Sequence, residues 1–286
     1  SLTGEIDLAT STPGNYQVTY TPPTDWQQIG QNIDGSEDCI CFAMYFSMSN
    51  NGSRLILSDN SNGTNKINVY NNINSNWVLS NQINESSTVE SVELSGNGSR
   101  FAVQTNLGVK IYEWNGLNWV QLGQIISYSG SIKLNFDGSI IAIANSSINN
   151  NTGQVKIYTY NSGSWLQLGQ NIEGETQGDR LSGGSINGGG FELSYTGERL
   201  IVGAPFNDGN GNNAGHARIF EYNNGNWLEV GNDIYGEAAG DNSGSAVTID
   251  SSGNRVAIGA FLNDGNGNNA GHVRVYEWNG SAWVQL

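Results

Sequence analysis

Basic residues are scarce in this chain. Eleven lysines and arginines stand against 26 acids, and with both histidines neutral the formal net charge is −15. That balance repels a phosphate backbone or an anionic bilayer surface, which argues against nucleic acid as a partner and leaves cations as suitable ones. Charged residues of either sign make up only 13% of the chain, and Asn, Ser and 39 glycines fill the space, a mixture poor in helix formers and rich in turn formers. No apolar run approaches the ~20 residues that a spanning helix needs, so direct membrane insertion is not expected, and no signal-peptide pattern is visible. The only two cysteines, Cys39 and Cys41, would point the same way in a strand, poor geometry for a mutual disulfide. They read as small core residues. With only His216 and His272 as histidines, the chain has no Cys/His metal framework. Proline, at four residues, is too rare and the aromatics too evenly spaced for disorder.

What the chain does have is a recurring tryptophan-led phrase. It reads Trp26-Gln-Gln-Ile-Gly, Trp77-Val-Leu-Ser-Asn, Trp119-Val-Gln-Leu-Gly, Trp165-Leu-Gln-Leu-Gly, Trp227-Leu-Glu-Val-Gly and Trp283-Val-Gln-Leu, at intervals of 51, 42, 46, 62 and 56 residues. A period of about 40–60 residues signals stacked units such as solenoids or propellers. Each interval carries four strand signals. In the last, Ser245–Asp250 alternates apolar and polar residues, and a Ser-Ser-Gly-Asn turn leads to Arg255–Ala260. A long Asn/Gly loop leads to His272–Trp278, and the Asn279-Gly280 hairpin leads to Trp283–Leu286. The period-two alternation suits strands with one face in a core, and no stretch shows a helical period. Five four-stranded antiparallel meanders in series predict an all-β propeller, with an incomplete sixth blade as an option. A small sheet alone cannot cover both faces, and radial stacking does. The repeated indole is then an inter-blade packing residue, with burial of ~200 Å² setting an upper bound near ~5 kcal/mol each. A row of carbohydrate-stacking platforms is the rival reading.

The phrases Val202-Gly-Ala-Pro205, Ala257-Ile-Gly-Ala260 and Gly271-His-Val-Arg-Val-Tyr-Glu-Trp278 resemble the FG-GAP repeats of integrin-α-like propellers. They are closer still to divergent relatives in large secreted proteins of Bacteroidetes-type bacteria. This resemblance covers roughly residues 26–286 and implies an extracellular, cell-surface role in adhesion or ligand binding. Residues 1–25, with Thr3–Leu8 and Thr12–Tyr20, resemble the last strands of a bacterial immunoglobulin- or cadherin-like repeat, which implies one part of a larger polypeptide; closing strands for the propeller are the alternative. The family's calcium loop falls here on Ser194-Tyr-Thr-Gly-Glu198 and Asp250-Ser-Ser-Gly-Asn254, where few carboxylates remain.

Two twin loops are the best local candidates. In Asn207–Asn213, Asp208, Asn210 and Asn212 alternate, and in Asn263–Asn269, Asp264, Asn266 and Asn268 do the same. Alternating oxygens with glycines between them can wrap Ca²⁺, but one carboxylate per loop predicts only ~10⁻³ M affinity or weaker. An Asn/Gly hairpin that needs positive φ explains the same residues. In a propeller the loops after the second and fourth strands share a face, which gathers Glu173, Glu175, Asp179, Asp208, Asp233, Glu237, Asp241 and Asp264 into an acidic surface. His216 and His272 hold equivalent repeat positions, which favours a structural hydrogen bond. No nucleophile elbow is present, and Gly183–Gly190 lacks the lysine and helix of a phosphate cradle. The expectation is therefore a non-enzymatic module contacting glycan or protein through one propeller face. A structural or assembly module of a surface filament or secretion-linked complex is the alternative. A glycosidase-like enzyme ranks last, since no axial carboxylate cluster is expected.

Overall fold

The computed structural model describes residues 27–35, 42–183 and 190–286. The expectations for residues 1–25, for Trp26 and both cysteines, and for most of the Gly183–Gly190 loop lie outside the described residues. The chain is an all-β propeller, 51% strand and 2% helix, in five antiparallel sheets whose four main strands run in sequence order. Blade 1 holds β1 (Phe42–Met48), β2 (Arg54–Asp59), β3 (Asn65–Ile73) and β4 (Asn76–Glu85). Blade 2 holds β5 (Val89–Leu94), β6 (Arg100–Thr105), β7 (Gly108–Trp114) and β8 (Trp119–Gln121). Blade 3 holds β9 (Ser131–Leu134), β10 (Ile140–Asn145), β11 (Gln154–Asn161) and β12 (Ser164–Gln167), with β13 (Ile172–Glu173) added beside β11. Blade 4 holds β14 (Phe191–Leu193), β15 (Arg199–Ala204), β16 (His216–Asn223) and β17 (Asn226–Glu229), with β18 (Ile234–Tyr235) added beside β16. Blade 5 holds β19 (Ser243–Ile249), β20 (Arg255–Ala260), β21 (His272–Trp278) and β22 (Trp283–Gln285).

Alternation along the strands is resolved into two faces, each packed on a neighbouring blade. Ile56, Ile67 and Val69 of blade 1 meet Val92, Phe101 and Val103 of blade 2. Similar apolar clusters join blades 2 and 3, 3 and 4, and 4 and 5. Among the described residues no such cluster joins blade 5 to blade 1. The outward face of blade 5 leaves Val273 66% and Val275 39% exposed, whereas their blade 4 equivalents, Ala217 and Ile219, are buried beneath blade 5. On the other terminal blade, β1 exposes Met44, Phe46 and Met48.

The indole series forms the outer wedge. Trp165 and Trp227 are each 2% exposed, and the Nε1–H of each donates at 2.8 Å to a carbonyl of the preceding blade, Leu122 and Leu168. Trp283 does the same to Val230. The glycine that follows in each phrase makes this approach possible. A Cβ on Gly169 would sit 2.8 Å from Trp227 Cδ1, and Gly123 and Gly231 would meet Trp165 and Trp283 at 2.9 Å. The next residue then grips the tryptophan backbone: Gln124 accepts from Trp165 N–H and donates to its carbonyl, and Gln170 and Gln31 do so for Trp227 and Trp77. In blades 2 to 5 the tryptophan also pairs across the strand with an aromatic of the third strand, as in Tyr222–Trp227 at 5.4 Å and 52°, whereas Trp77 of blade 1 faces Asn72.

Blade 1 ends its phrase in Ser80-Asn81 instead of Leu-Gly, and the lock after it differs accordingly. Trp119 is instead covered by the Arg54 guanidinium, 5.1 Å above its ring. A buried ion pair substitutes deeper in: Glu85 at the end of β4 accepts from Lys110 Nζ and from Tyr112 Oη, both at 2.6 Å. The Arg54 guanidinium also donates to the carbonyl of a turn glycine in the following blade, Gly98, as those of Arg100 and Arg199 do to Gly138 and Gly253.

Gly169→Ala is expected to destabilise the chain by about 1–3 kcal/mol, because φ is +75° and the methyl group strikes the Trp227 ring. Trp227→Ala should cost about 3–5 kcal/mol. In urea unfolding, the same glycine change at the exposed hairpin position Gly163, where nothing lies within 4 Å of the new Cβ, reports the cost of positive φ alone.

Candidate functional site

The loop that leaves one blade and the loop after the second strand of the next blade meet on one face, as the topology predicts, and the meeting occurs twice with the same residues: after β13 and β15, and after β18 and β20. At the junction of blades 3 and 4, Asp179 is 2% exposed. It accepts from Thr176 N–H at 2.9 Å, from Thr176 Oγ1 and from Asn207 Nδ2 at 3.1 Å, while Asn207 Oδ1 accepts from Gly209 N–H at 2.8 Å. At the junction of blades 4 and 5, Asp241 is 3% exposed and accepts from Ala238 N–H and Asn263 Nδ2, both at 3.0 Å, and Asn263 caps Gly265 N–H. Asp179 and Asp241 are thus buried anchors of their loops rather than solvated acids. Glu175 and Glu237, four residues earlier in each phrase, remain at the exposed rim.

The twin loops themselves are braced from within. Asp208 Oδ1 accepts from Asn213 N–H and Asp264 Oδ1 from Asn269 N–H, each at 2.7 Å, with Asn213 and Asn269 in the left-handed region. Asn210 turns its amide across the junction to the Gly236 carbonyl at 2.8 Å. Asn212 accepts from the Asn213 side chain at 3.2 Å, and Asn266 and Asn268 are exposed on the blade 5 loop. Each loop therefore presents one carboxylate, with one oxygen already bonded to its own backbone. The stretch where the resembled family has its calcium loop is also a self-contained turn, with Asp250 Oδ1 accepting from Asn254 and Arg255 N–H.

The histidines differ from expectation. His216 is fully buried, and neither ring nitrogen makes a hydrogen bond to any described residue. Its Nδ1 lies 3.2 Å from Asp233 Oδ2 without the alignment of a hydrogen bond, and 3.9 Å from Glu175 Oε2. Burial lowers its pKa and outweighs the nearby carboxylates, so it is neutral at neutral pH. Beside it, Glu229 lies against Asp233. Burial and the hydrogen bond to Asp233 push Glu229 up to about 8. Burial works against ionisation of Asp233, but Glu229, His216 and the Tyr235 hydroxyl together hold it below its ordinary value. His272 repeats the position with Nδ1 3.6 Å from Glu237 and Nε2 unpartnered.

A cluster that sequence reasoning missed lies where the innermost strands converge. Lys133 of β9 reaches Glu93 of β5 at 3.7 Å and Glu192 of β14 at 3.3 Å, an axial trio spanning three blades. The three hold equivalent places in their first strands, a signal that aligning the repeats would have shown. Glu93 and Lys133 border a cleft of about 710 Å³ lined in part by Met44, Phe46, Glu90 and Asn145. Burial raises the Glu93 carboxyl to about 7 against the opposing pull of Lys133. The same acids keep Lys133 protonated in spite of its burial. The expectation of no axial acids is corrected to this extent: carboxylates are present on the axis, neutralised by a lysine between them.

No family model matches the sequence, and no curated protein matches it. Solved structures do. A functionally unknown protein from Desulfotomaculum acetoxidans aligns with a TM-score of 0.59 at 14% identity, over 91% of this chain and 73% of that one. A Bacteroides uniformis protein provisionally named a 6-phosphogluconolactonase aligns at 0.53 and 15%, over 82% and 67%. The β-propeller domain of Cps50 (Swd1) from Myceliophthora thermophila aligns at 0.53 and 13%, over 85% and 71%. At such identities the likeness concerns the propeller fold.

The raised Glu93 pKa has a stability consequence with a definite sign. Between about 4.5 and about 7 the folded chain keeps a proton that the unfolded chain has lost. This contribution is fully present below about 4.5 and is lost as pH rises through about 7, by roughly 3 kcal/mol at most. Glu93→Gln should flatten that part of the stability–pH curve in denaturant titrations; an unchanged slope would assign it elsewhere.

Proposed function

We propose that this chain is a non-enzymatic binding module of a larger extracellular protein, contacting glycan or protein through the face built by the loops after β13, β15, β18 and β20. The observation that carries this reading is the duplicated Asp–Asn anchor. Buried Asp179–Asn207 and Asp241–Asn263 bonds hold each loop pair rigid while Glu175, Glu237, Asp208 and Asp264 stay at the rim. Binding surfaces gain affinity when their loops are ordered beforehand, because little entropy is lost on contact. The net charge of −15 favours a basic or cation-bridged partner, with Ca²⁺ bound weakly at Asp208, Asn210, Asn212 and at Asp264, Asn266, Asn268 as the bridging ion. Phrases resembling FG-GAP repeats and their Bacteroidetes-type relatives supply the cell-surface context.

A second reading, an assembly module, draws support from the exposed apolar faces of the terminal blades, Phe46 and Met48 on one and Val273 and Val275 on the other. Catalysis would have to use the axial trio. The provisional lactonase name belongs to the neighbour, and Lys133 occupies the space where a substrate would meet both Glu93 and Glu192.

Screening the chain on a glycan array and against basic surface peptides, with calcium and with chelator, is expected to give hits that Asp208→Ala plus Asp264→Ala weakens at least about tenfold, the scale of one lost contact. Hits indifferent to that double change would move the contact off this face. Concentration-dependent self-association abolished by Val273→Asp would favour the assembly reading.

A further inference from the structure

We propose that Glu175, His216 and Asp233 form a site for one divalent transition-metal ion of the Zn²⁺ class, clasping blade 3 to blade 4. Glu175 comes from the loop after β13 in blade 3; His216 opens β16, and Asp233 lies between β17 and β18 in blade 4. One ligand atom from each lies within 4.8 Å of the others. Zinc ligands at about 2.0–2.2 Å from the metal in a tetrahedron are about 3.3 Å apart. His216 Nδ1 and Asp233 Oδ2, at 3.2 Å, already hold that spacing. Glu175 Oε2, at 3.9 Å from the ring nitrogen, sits on a side chain 42% exposed and free to close in by a rotamer-scale movement.

The independent sign of a ligand is the imidazole. A side chain with no exposure, whose ring nitrogens find no hydrogen-bond partner among the described residues, is rare in folded proteins and asks for a reason. Aimed at two carboxylates, it is an unused donor. Local charge agrees. Glu175 and Asp233 face one cation here, Arg218, whose Nη1 is 3.9 Å from Glu175 Oε1 while Nη2 is committed to the Glu173 carbonyl. A nitrogen donor with two carboxylates selects the borderline divalent ions over calcium, which takes six to eight oxygens. The fourth coordination position would face solvent past Glu175.

The second junction repeats two of the three ligands. His272 faces Glu237 at 3.6 Å, but Glu175, His216 and Asp233 are the one such group of three among the described residues.

Calorimetric titration of the chelator-treated chain with ZnCl₂, MnCl₂ and CaCl₂, with thermal unfolding at each metal, tests this. The expected result is one equivalent of Zn²⁺ bound, a raised Tm and at most weak Ca²⁺ binding. His216→Gln should abolish Zn²⁺ binding. Glu175→Gln, at an exposed side chain that leaves the core intact, should weaken it by at least about tenfold, the lower end of what even outer-shell changes cost. His272→Gln should leave the titration unchanged. The proposal is overturned if the parent chain neither binds Zn²⁺ nor gains Tm, if the folded Glu175→Gln protein titrates like the parent, or if Ca²⁺ binds as tightly and without regard to His216.

Discussion

Contact between one blade's tryptophan and the preceding blade's glycine sets the geometry on which the rest depends. A blade here is a small twisted sheet with apolar residues on both faces, and alone it would leave one of them in water. The indole fixes how the next sheet approaches. It stands on the backbone at Gly123, Gly169 or Gly231, closer than any Cβ would allow, and its N–H is satisfied by the carbonyl one residue earlier. Burial, hydrogen bond and steric limit thus act at one place, so sheet spacing and angle are defined together. Where the glycine is absent, after blade 1, the spacing is kept by other chemistry: an arginine laid on Trp119 and a buried glutamate held by Lys110 and Tyr112. Partnering of that glutamate is obligatory, because a carboxylate buried alone would be strongly unfavourable.

With the outer edge and the turn glycines fixed, the loop face inherits its order. Asp179 and Asp241 can be buried because Asn207 and Asn263 arrive from the following blade to donate to them. Those bonds exist only if adjacent blades sit at the spacing that the tryptophans impose. Inner strands converge for the same reason, which brings Glu93, Lys133 and Glu192 from three separate blades to one axis. The two histidines occupy equivalent places in the repeat. Both open the third strand of their blade, each facing a glutamate from the preceding junction, and Asp233 completes a group of three around His216.

Much of this was legible in the chain. The alternating runs, the Asn-Gly and Gly-Ser-Arg turns and the phrase beginning at each Trp gave strand number, strand order and the wedge role of the indole. Even the exception at Trp77-Val-Leu-Ser-Asn was visible, though not what would replace the glycine. The acidic loop face was legible as a location. What was not legible was the state of its members. Asp179 and Asp241 look like surface acids in a polar loop, and their burial depends on asparagines 28 and 22 residues away. The axial trio was missed because its members lie 40 and 59 residues apart, Lys133 from Glu93 and Glu192 from Lys133, each as a single polar residue in an otherwise ordinary strand.

The sequence by itself determined the repeating unit, because strand alternation, turn chemistry and the Trp-to-Gly phrase are local patterns whose physics operates within a few residues. It also determined the sign of the surface charge. Tertiary structure alone decided which polar groups meet. Whether a carboxylate is a solvated charge, a buried anchor or a metal donor depends on what faces it across a blade junction, and that is a property of how neighbouring sheets dock rather than of any stretch of chain. The unsatisfied imidazole of His216, beside an aspartate 17 residues on and a glutamate 41 residues back, is set by that docking.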